Sequence, residues 1–359
     1  MIYIIGAGWY GCHIATRCLE EGYDVRIVDK ANAFFTGASN KNQNRLHLGY
    51  HYPRSVETIH ECRRGYEEFR RRYGFLCKEV PTNIYLLANS PESKTLAYEF
   101  SERFNIEPVD QTNKGAVFHV NEYFIDNHAS AEYFRRRLNP LLIPVGRVEV
   151  FETIEGICEY LGVRDNRGNT RGDSDIVLNC TYNQLAPTAF AEYEMFITFL
   201  YKIRDVSELF GYTVMDGPFF SLYPCDGKDM YTLTSVEHGV VWRGRNRAEA
   251  VLPTPADMGR LREVVERQVL EYIPHFHEMA TYSDFVVSWK TKPVTDTDDR
   301  SLRIERTAYG MNLWGGKITG VFDAAEAVLK HLADIDYSKT DDTTSCCNRM
   351  DWLCGPVFI

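Results

Sequence analysis

The sequence has no apolar run near the roughly twenty residues that a bilayer-spanning helix needs. It has no basic excess either: 50 acidic side chains against 40 lysines and arginines leave a formal charge of −10. A field of that sign does not gather nucleic acid or an anionic membrane, so neither is expected as a partner. No segment repeats along the chain. The first apolar run begins at Met1, which leaves no room for a secretory leader, and a cytoplasmic location is expected. The ten cysteines are then read in a reducing compartment. Cys12, Cys18, Cys158 and Cys180 fall on apolar faces as small core residues, whereas Cys346, Cys347 and Cys354 lie in a polar tail. None has partners at zinc-ligand spacing, so no metal is expected.

What the chain does have is material for a large core: 44% of its 359 residues are hydrophobic and 13% aromatic. That length suits two domains. The first stretch is the most informative. Met1 to Ile5 is a short apolar run with the β-branched bias of a buried parallel strand. It ends in Gly6-Ala7-Gly8-Trp9-Tyr10-Gly11, and a helical pattern follows from Cys12 until Gly22 stops it. Tyr23 to Val28 reads as a second strand with Asp29 and Lys30 at its tip. Gly6 permits the tight turn, Gly8 the close approach of a pyrophosphate, and Gly11 the packing of helix on strand. The helix N-terminus offers N–H groups to phosphates, and Asp29 can accept from both ribose hydroxyls. An acid there disfavours a 2′-phosphate, so FAD or NAD is expected rather than NADP.

Further on, a polar segment from Thr36 to Ser55 is too long for an ordinary strand connection, and such segments are often functional. Helices are expected at 55–73, 91–104, 130–138, 256–272 and 319–332. Strands are expected at 83–88, 148–151, 158–163, 175–182, 285–290 and 302–307. Strand signals dominate from Glu192 to Val236, as in an antiparallel sheet of a second domain.

Four separated places together resemble the FAD-dependent oxidoreductases of the D-amino acid oxidase superfamily, which includes glycine oxidase, sarcosine oxidase and 2-hydroxyglutarate dehydrogenase. They are the opening fingerprint with Asp29; the segment Gly37-Ala-Ser39-Asn40 through Arg45-Leu46-His47 to Gly49-Tyr50-His51-Tyr52; the strand from Asp175 to Thr181; and Trp314-Gly315-Gly316-Lys317-Ile318-Thr319. The third place lacks the family's glycine and carries Asn179-Cys180-Thr181-Tyr182 instead.

The resemblance implies an α/β fold, with a Rossmann-type FAD-binding domain from 1–80, 145–185 and 295–334. An interleaved, mainly antiparallel-sheet substrate domain would come from 81–144 and 186–294, followed by a tail at 335–359. It implies noncovalent FAD, because no cysteine occurs between Cys225 and Cys346. FAD would be held by the fingerprint residues with Asp29 and Lys30, by Ser39, Asn40, Arg45, Leu46, His47 and Thr181, and by Gly315, Gly316, Lys317, Ile318 and Thr319.

Backbone N–H groups of that last turn would favour a reduced flavin, with Thr319 capping the helix. Arg45 and His47 would approach the flavin or steer a substrate proton; alternatively, backbone carbonyls satisfy His47. Tyr50, His51 and Tyr52 would wall the pocket, with Met215–Ser221 and Tyr223 as its roof. Arg300 would bind a substrate carboxylate, or else pair with Asp298 or Asp299. The implied chemistry is oxidation of the C–H next to an amine, by hydride transfer to flavin N5, in an amino acid or N-substituted glycine. The alternatives are a 2-hydroxy acid dehydrogenase, or a tailoring enzyme acting on a polysaccharide or modified-nucleotide amine.

Overall fold

The structure is a computed structural model, and it describes residues 1–146, 153–163, 175–185, 191–294 and 301–335. The strand expected at 148–151, Arg300 and all of the tail from residue 336 lie outside the described residues. The chain divides into two units, Met1–Thr36 with Ala129–Thr188 and Leu302–Ile359, and Gly37–His128 with Ala189–Ser301. The segment 37–80, expected with the nucleotide domain, thus belongs to the second unit, and residues 129–144 belong to the first. The physical reason is register: Arg45–Leu46 and Cys77–Glu79 both pair with Tyr123–Ile125.

The first unit is built on a six-stranded sheet. Its order is Arg303–Arg306, Gly310–Trp314, Ile176–Asn179, Ile2–Ile5, Val25–Asp29, Leu142–Pro144. All neighbours are parallel except the first two, which form an antiparallel pair. Ile2, Ile4 and Ile5 are fully buried, as expected for a strand covered on both faces. Helices Trp9–Glu20 and Val321–Asp334 pack on one another, with His13 edge-on to Phe322 at 4.7 Å.

The segment expected as a strand at 158–163 is instead a helix, Ile154–Leu161. Thr153 caps its first turn, accepting from Gly156 N–H, and Gly162 ends it at φ 65°. Ile154, Ile157, Cys158 and Leu161 follow helical spacing, and this stripe packs with Ile5, Val28 and Val177.

The second unit carries a nine-stranded sheet centred on Ala191–Ile203, which pairs with Val240–Gly244, Met230–Ser235 and Ala280–Pro293. The sheet continues through Phe220–Pro224, Phe210–Met215, Thr82–Ala88, Gly115–His119 and Asp110–Thr112. Its strands are antiparallel except where Phe210–Met215 runs parallel to Thr82–Ala88. On one face Ile197, Phe199 and Leu233 pack with Met258, Val265 and Val269 of helix Pro255–Leu270. Each such buried aliphatic or aromatic side chain contributes about 1.5–3 kcal/mol. The helix expected at 91–104 is confined to Ala97–Phe104, where the Glu99 carboxylate accepts from Leu96 N–H.

Candidate functional site

In the first unit the fingerprint forms a cradle that side chains would fill. Gly6 turns at φ 106°, and a Cβ there would stand 2.8 Å from the Cys180 carbonyl oxygen. A Cβ on Gly11 would overlap the Gly6 carbonyl oxygen. Gly8 stands at the N-cap of helix Trp9–Glu20, whose first turn has neither a side-chain cap nor an acidic residue. Its positive end is therefore not neutralised locally, which suits a pyrophosphate. The Asp29 carboxylate accepts from Ala7 N–H at 2.7 Å and Ala31 N–H at 2.9 Å. It fixes the glycine turn and keeps lone pairs for ribose hydroxyls. Lys30 beside it is exposed.

Trp9 serves the core rather than the cradle. It is 3% exposed and packs on Phe35 and Phe134, with ring centroids at 5.1 and 5.3 Å. Tyr10 instead ties the two ends of the unit together: its hydroxyl donates to the Lys317 carbonyl at 2.8 Å. Gly315 makes room for that ring, since a Cβ there would meet the Tyr10 oxygen at 2.6 Å.

Among the described residues Trp314 Nε1 and Thr319 Oγ1 are buried with no hydrogen-bond partner, while Gly316 is exposed. Two orphaned polar atoms within one turn fit a bound group rich in acceptors and donors, as a flavin edge is. Thr319 does not cap the last helix. It sits inside the 3-10 turn Ile318–Gly320, and Gly320 holds the N-cap position of Val321–Asp334. Burial pushes the Lys317 amine down to about 7.

Thr181 is committed to its own turn: its hydroxyl bonds Asn179 Oδ1 at 2.7 Å and accepts from Leu185 N–H at 3.1 Å. The left-handed residues fall one place later, at Tyr182 and Asn183, where the family glycine is missing.

In the second unit the short pairing of Arg45–Leu46 with Tyr123–Ile125 sets Arg45 opposite Phe124, beside Glu122. Arg45 is a buried hub rather than a pocket wall. Its guanidinium donates to Tyr85 Oη at 2.7 Å, Glu122 Oε2 at 3.2 Å, Ser221 Oγ at 2.9 Å and Thr213 Oγ1 at 3.2 Å. It also stacks 3.7 Å from the Tyr223 ring centre.

Glu122 receives Tyr85 O–H at 2.7 Å and Leu48 N–H at 3.2 Å, and its Oε1 lies 3.6 Å from His47 Nδ1. Burial alone would raise the Glu122 carboxyl, but the neighbouring His47 and the Arg45 charge overcome it and hold it at about 2. Tyr85 is pushed well above its ordinary value, by burial and by Glu122.

His47, Tyr50, His51 and Tyr52 are half-buried. His51 is edge-on to His47 at 4.9 Å and tilted on Tyr85 at 5.1 Å, and His47 meets Tyr52 at 5.9 Å. Tyr50 turns into an apolar cluster with Phe100 and Phe104. Leu46 is fully buried. Ser39 and Asn40 form a 3-10 turn whose Ser39 carbonyl accepts from Asn127 Nδ2. Sequence reasoning missed Glu122 and Tyr85; the one signal was an acid within an otherwise apolar strand approach, Val120-Asn-Glu122-Tyr-Phe-Ile125.

A largely parallel α/β unit with a dinucleotide cradle, interleaved along the chain with a sheet-based unit that carries an Arg–Glu–His array, marks a dinucleotide-binding protein. The family profile of FAD dependent oxidoreductases matches residues 1–316, and the chain belongs to that family. The FAD-dependent monooxygenase FPY4 of Fusarium mangiferae is 30% identical over 349 residues, covering 92% of this chain and 90% of that protein. The FAD-dependent monooxygenase kojA of Aspergillus flavus is 26% identical over 370 residues, covering 92% and 85%. Glycine oxidase from Geobacillus kaustophilus shares the fold at a TM-score of 0.64 with 12% identity, covering 96% of each chain. NikD, an amino acid oxidase, shares it at 0.62 with 11% identity, covering 96% of this chain and 94% of that one. The cofactor is FAD, and no described helix is long and apolar enough to cross a membrane.

Proposed function

We propose that this flavoenzyme oxidises a small molecule at a carbon bearing a hydroxyl group, with His47 as the base. The observation that carries this reading is the Glu122 carboxylate, buried and anionic, 3.6 Å from His47 Nδ1. Nδ1 faces that carboxylate, which leaves Nε2 to take a proton, and the fixed negative charge favours the imidazolium that would form. The Gly6–Gly11 cradle, Asp29 and the Gly315–Thr319 turn would hold FAD, which would supply the two-electron acceptor for the hydride.

An amine that binds neutral needs no such base, so the array favours a hydroxyl over the amine that the sequence resemblance places first. Oxidation of a CH–OH carbon then balances as a hydride lost from carbon, a proton taken by His47 and a ketone formed. Tyr52 and His51, both half-buried, offer hydrogen bonds and ring faces to a compact polar substrate, free or carried on a larger conjugate. The buried thiols of Cys12 and Cys18 suit a reducing compartment, and we read the chain as cytoplasmic.

The test is anaerobic loss of flavin colour against matched pairs, each a hydroxy acid or secondary alcohol with its amine analogue. Bleaching by the alcohol members supports the reading; bleaching by amines alone overturns it. A second reading, oxygen insertion, is favoured by the names of the two fungal relatives. Turnover under labelled dioxygen distinguishes it, because only insertion leaves label in the organic product.

A further inference from the structure

The sheet of the second unit carries a cluster that the proposed chemistry does not use. Trp242 and Trp289 lie opposite Met195 on its two neighbouring strands, so the three form a row across one face. The two indoles meet edge to face, with centroids 5.8 Å apart and planes at 77°. Gly244 makes this possible, since a Cβ there would stand 2.7 Å from the Trp242 ring. Beyond the strand, the turn Arg247–Glu249 is capped by the Asn246 side chain and sends Arg247 back over the row. Its guanidinium carbon is 4.3 Å from the Trp289 ring centre and 5.8 Å from that of Tyr193.

We propose that Arg247, Trp242 and Trp289 form a second binding site, for a phosphate or carboxylate group carried on a flat ring. The acids nearest in sequence are directed elsewhere: Glu192 and Glu194 alternate with Tyr193 and Met195 and so lie on the opposite face of the sheet. Glu249 accepts from Asn246 Nδ2 at 3.1 Å, and Arg243 holds Glu194 at 2.7 Å and Glu192 at 3.6 Å. Arg247 makes no ion pair among the described residues, and its Nε is buried without a hydrogen-bond partner. Burial pulls its pKa down, the sign of a cation paying desolvation without a counter-charge.

A guanidinium stacked on an indole keeps its N–H groups in the ring plane, where a bidentate oxyanion meets them. Trp242, half-buried beside it, offers a face for the ring that carries the anion. A lone cation–π contact would explain the stacking. It would not explain a half-buried guanidinium that no acid neutralises among the described residues.

Calorimetry on the FAD-loaded full chain tests the site with phenyl phosphate, inorganic phosphate and phenol. Phenyl phosphate should bind more tightly than either part, without perturbing the visible flavin spectrum. Arg247→Gln should weaken it roughly ten- to hundredfold and leave phenol unchanged. Arg247→Lys, which keeps the charge and loses the fork, should fall between, and Trp242→Leu should weaken phenyl phosphate but spare inorganic phosphate. The proposal is overturned if the native chain binds no phenyl phosphate at about millimolar concentration. It is also overturned if both Arg247 variants bind like the native chain, or if binding shifts the flavin spectrum and so reports the cofactor region instead.

Discussion

Arg45 and Glu122 form an ion pair from which water is excluded: guanidinium and carboxylate meet at 3.2 Å with side chains 1% and 0% exposed. In such a place the mutual attraction offsets two desolvation costs with the help of Tyr85, Thr213, Ser221 and Leu48 N–H. These satisfy the pair's other groups except Arg45 Nε, which is buried with no hydrogen-bond partner among the described residues. The pair is a fixed anchor on which His47 rests.

Removing one partner should therefore be costly. Glu122→Gln leaves Arg45 buried without its counter-charge and should lower unfolding free energy by about 3–5 kcal/mol at neutral pH. Because the carboxyl sits at about 2 when folded, its contribution is fully present above the ordinary carboxylate range. It is lost as pH falls from roughly 4.5 toward 2. Denaturant titrations of both proteins down this range should show their midpoints converging; a constant gap would mean that the charge is not the source.

The cradle makes a separate prediction. Gly11→Val places side-chain atoms against the Gly6 carbonyl, so purified protein should lack flavin, as the ratio of visible to ultraviolet absorbance reports. Asp29→Ala should keep the fold and release flavin more readily, since ribose acceptors and the brace on Ala7 N–H are both lost. Native flavin retention in both variants would contradict the assignment.

Tyr10→Phe removes a single hydrogen bond, from the ring hydroxyl to Lys317 O, and should cost about 0.5–1.5 kcal/mol of stability. Because that bond positions the Gly315–Thr319 turn, flavin should also dissociate faster in the variant. A stability loss with unchanged flavin dissociation would make Tyr10 a brace only.

Lys317 is shifted in the same direction as Glu122, but because it is a base its charged form is the one that costs stability. Its amine falls to about 7 on burial, so the folded chain binds fewer protons than the unfolded one between about 7 and its ordinary value of 10.5. Stability of flavin-free protein should therefore rise with pH across that window. Lys317→Met should remove the rise and stabilise the flavin-free form most at pH 7 and below. A parallel pH dependence in both proteins would contradict the assignment.

The parts of this fold legible from sequence were those fixed by local rules. Ile2, Ile4 and Ile5 on one short run, three glycines and an acid at the next strand tip specify a βαβ unit with few alternatives. Ser55 before helix Val56–Tyr73 is a cap whose hydroxyl accepts from Thr58 N–H. Glu122 was invisible because its meaning lies in Arg45, 77 positions away, reached through a two-residue pairing too short to leave a pattern. The place of the Trp9 indole was likewise not legible: position within the motif says nothing of the Phe35 and Phe134 rings that draw it inward. The strand expected at 158–163 fails because the helical stripe that decides the segment begins earlier, at Ile154 and Ile157.

The measurement closest to the central claim is the anaerobic rate of flavin bleaching by a matched alcohol and amine, followed from about pH 5 to 9 in native protein and His47→Asn. If His47 is the base, the alcohol rate should rise with pH through one ionisation in the native enzyme. It should fall roughly 10²- to 10⁴-fold in the variant, lose that ionisation, and leave flavin content unchanged. An alcohol rate that keeps its size and pH profile without His47 would contradict the account.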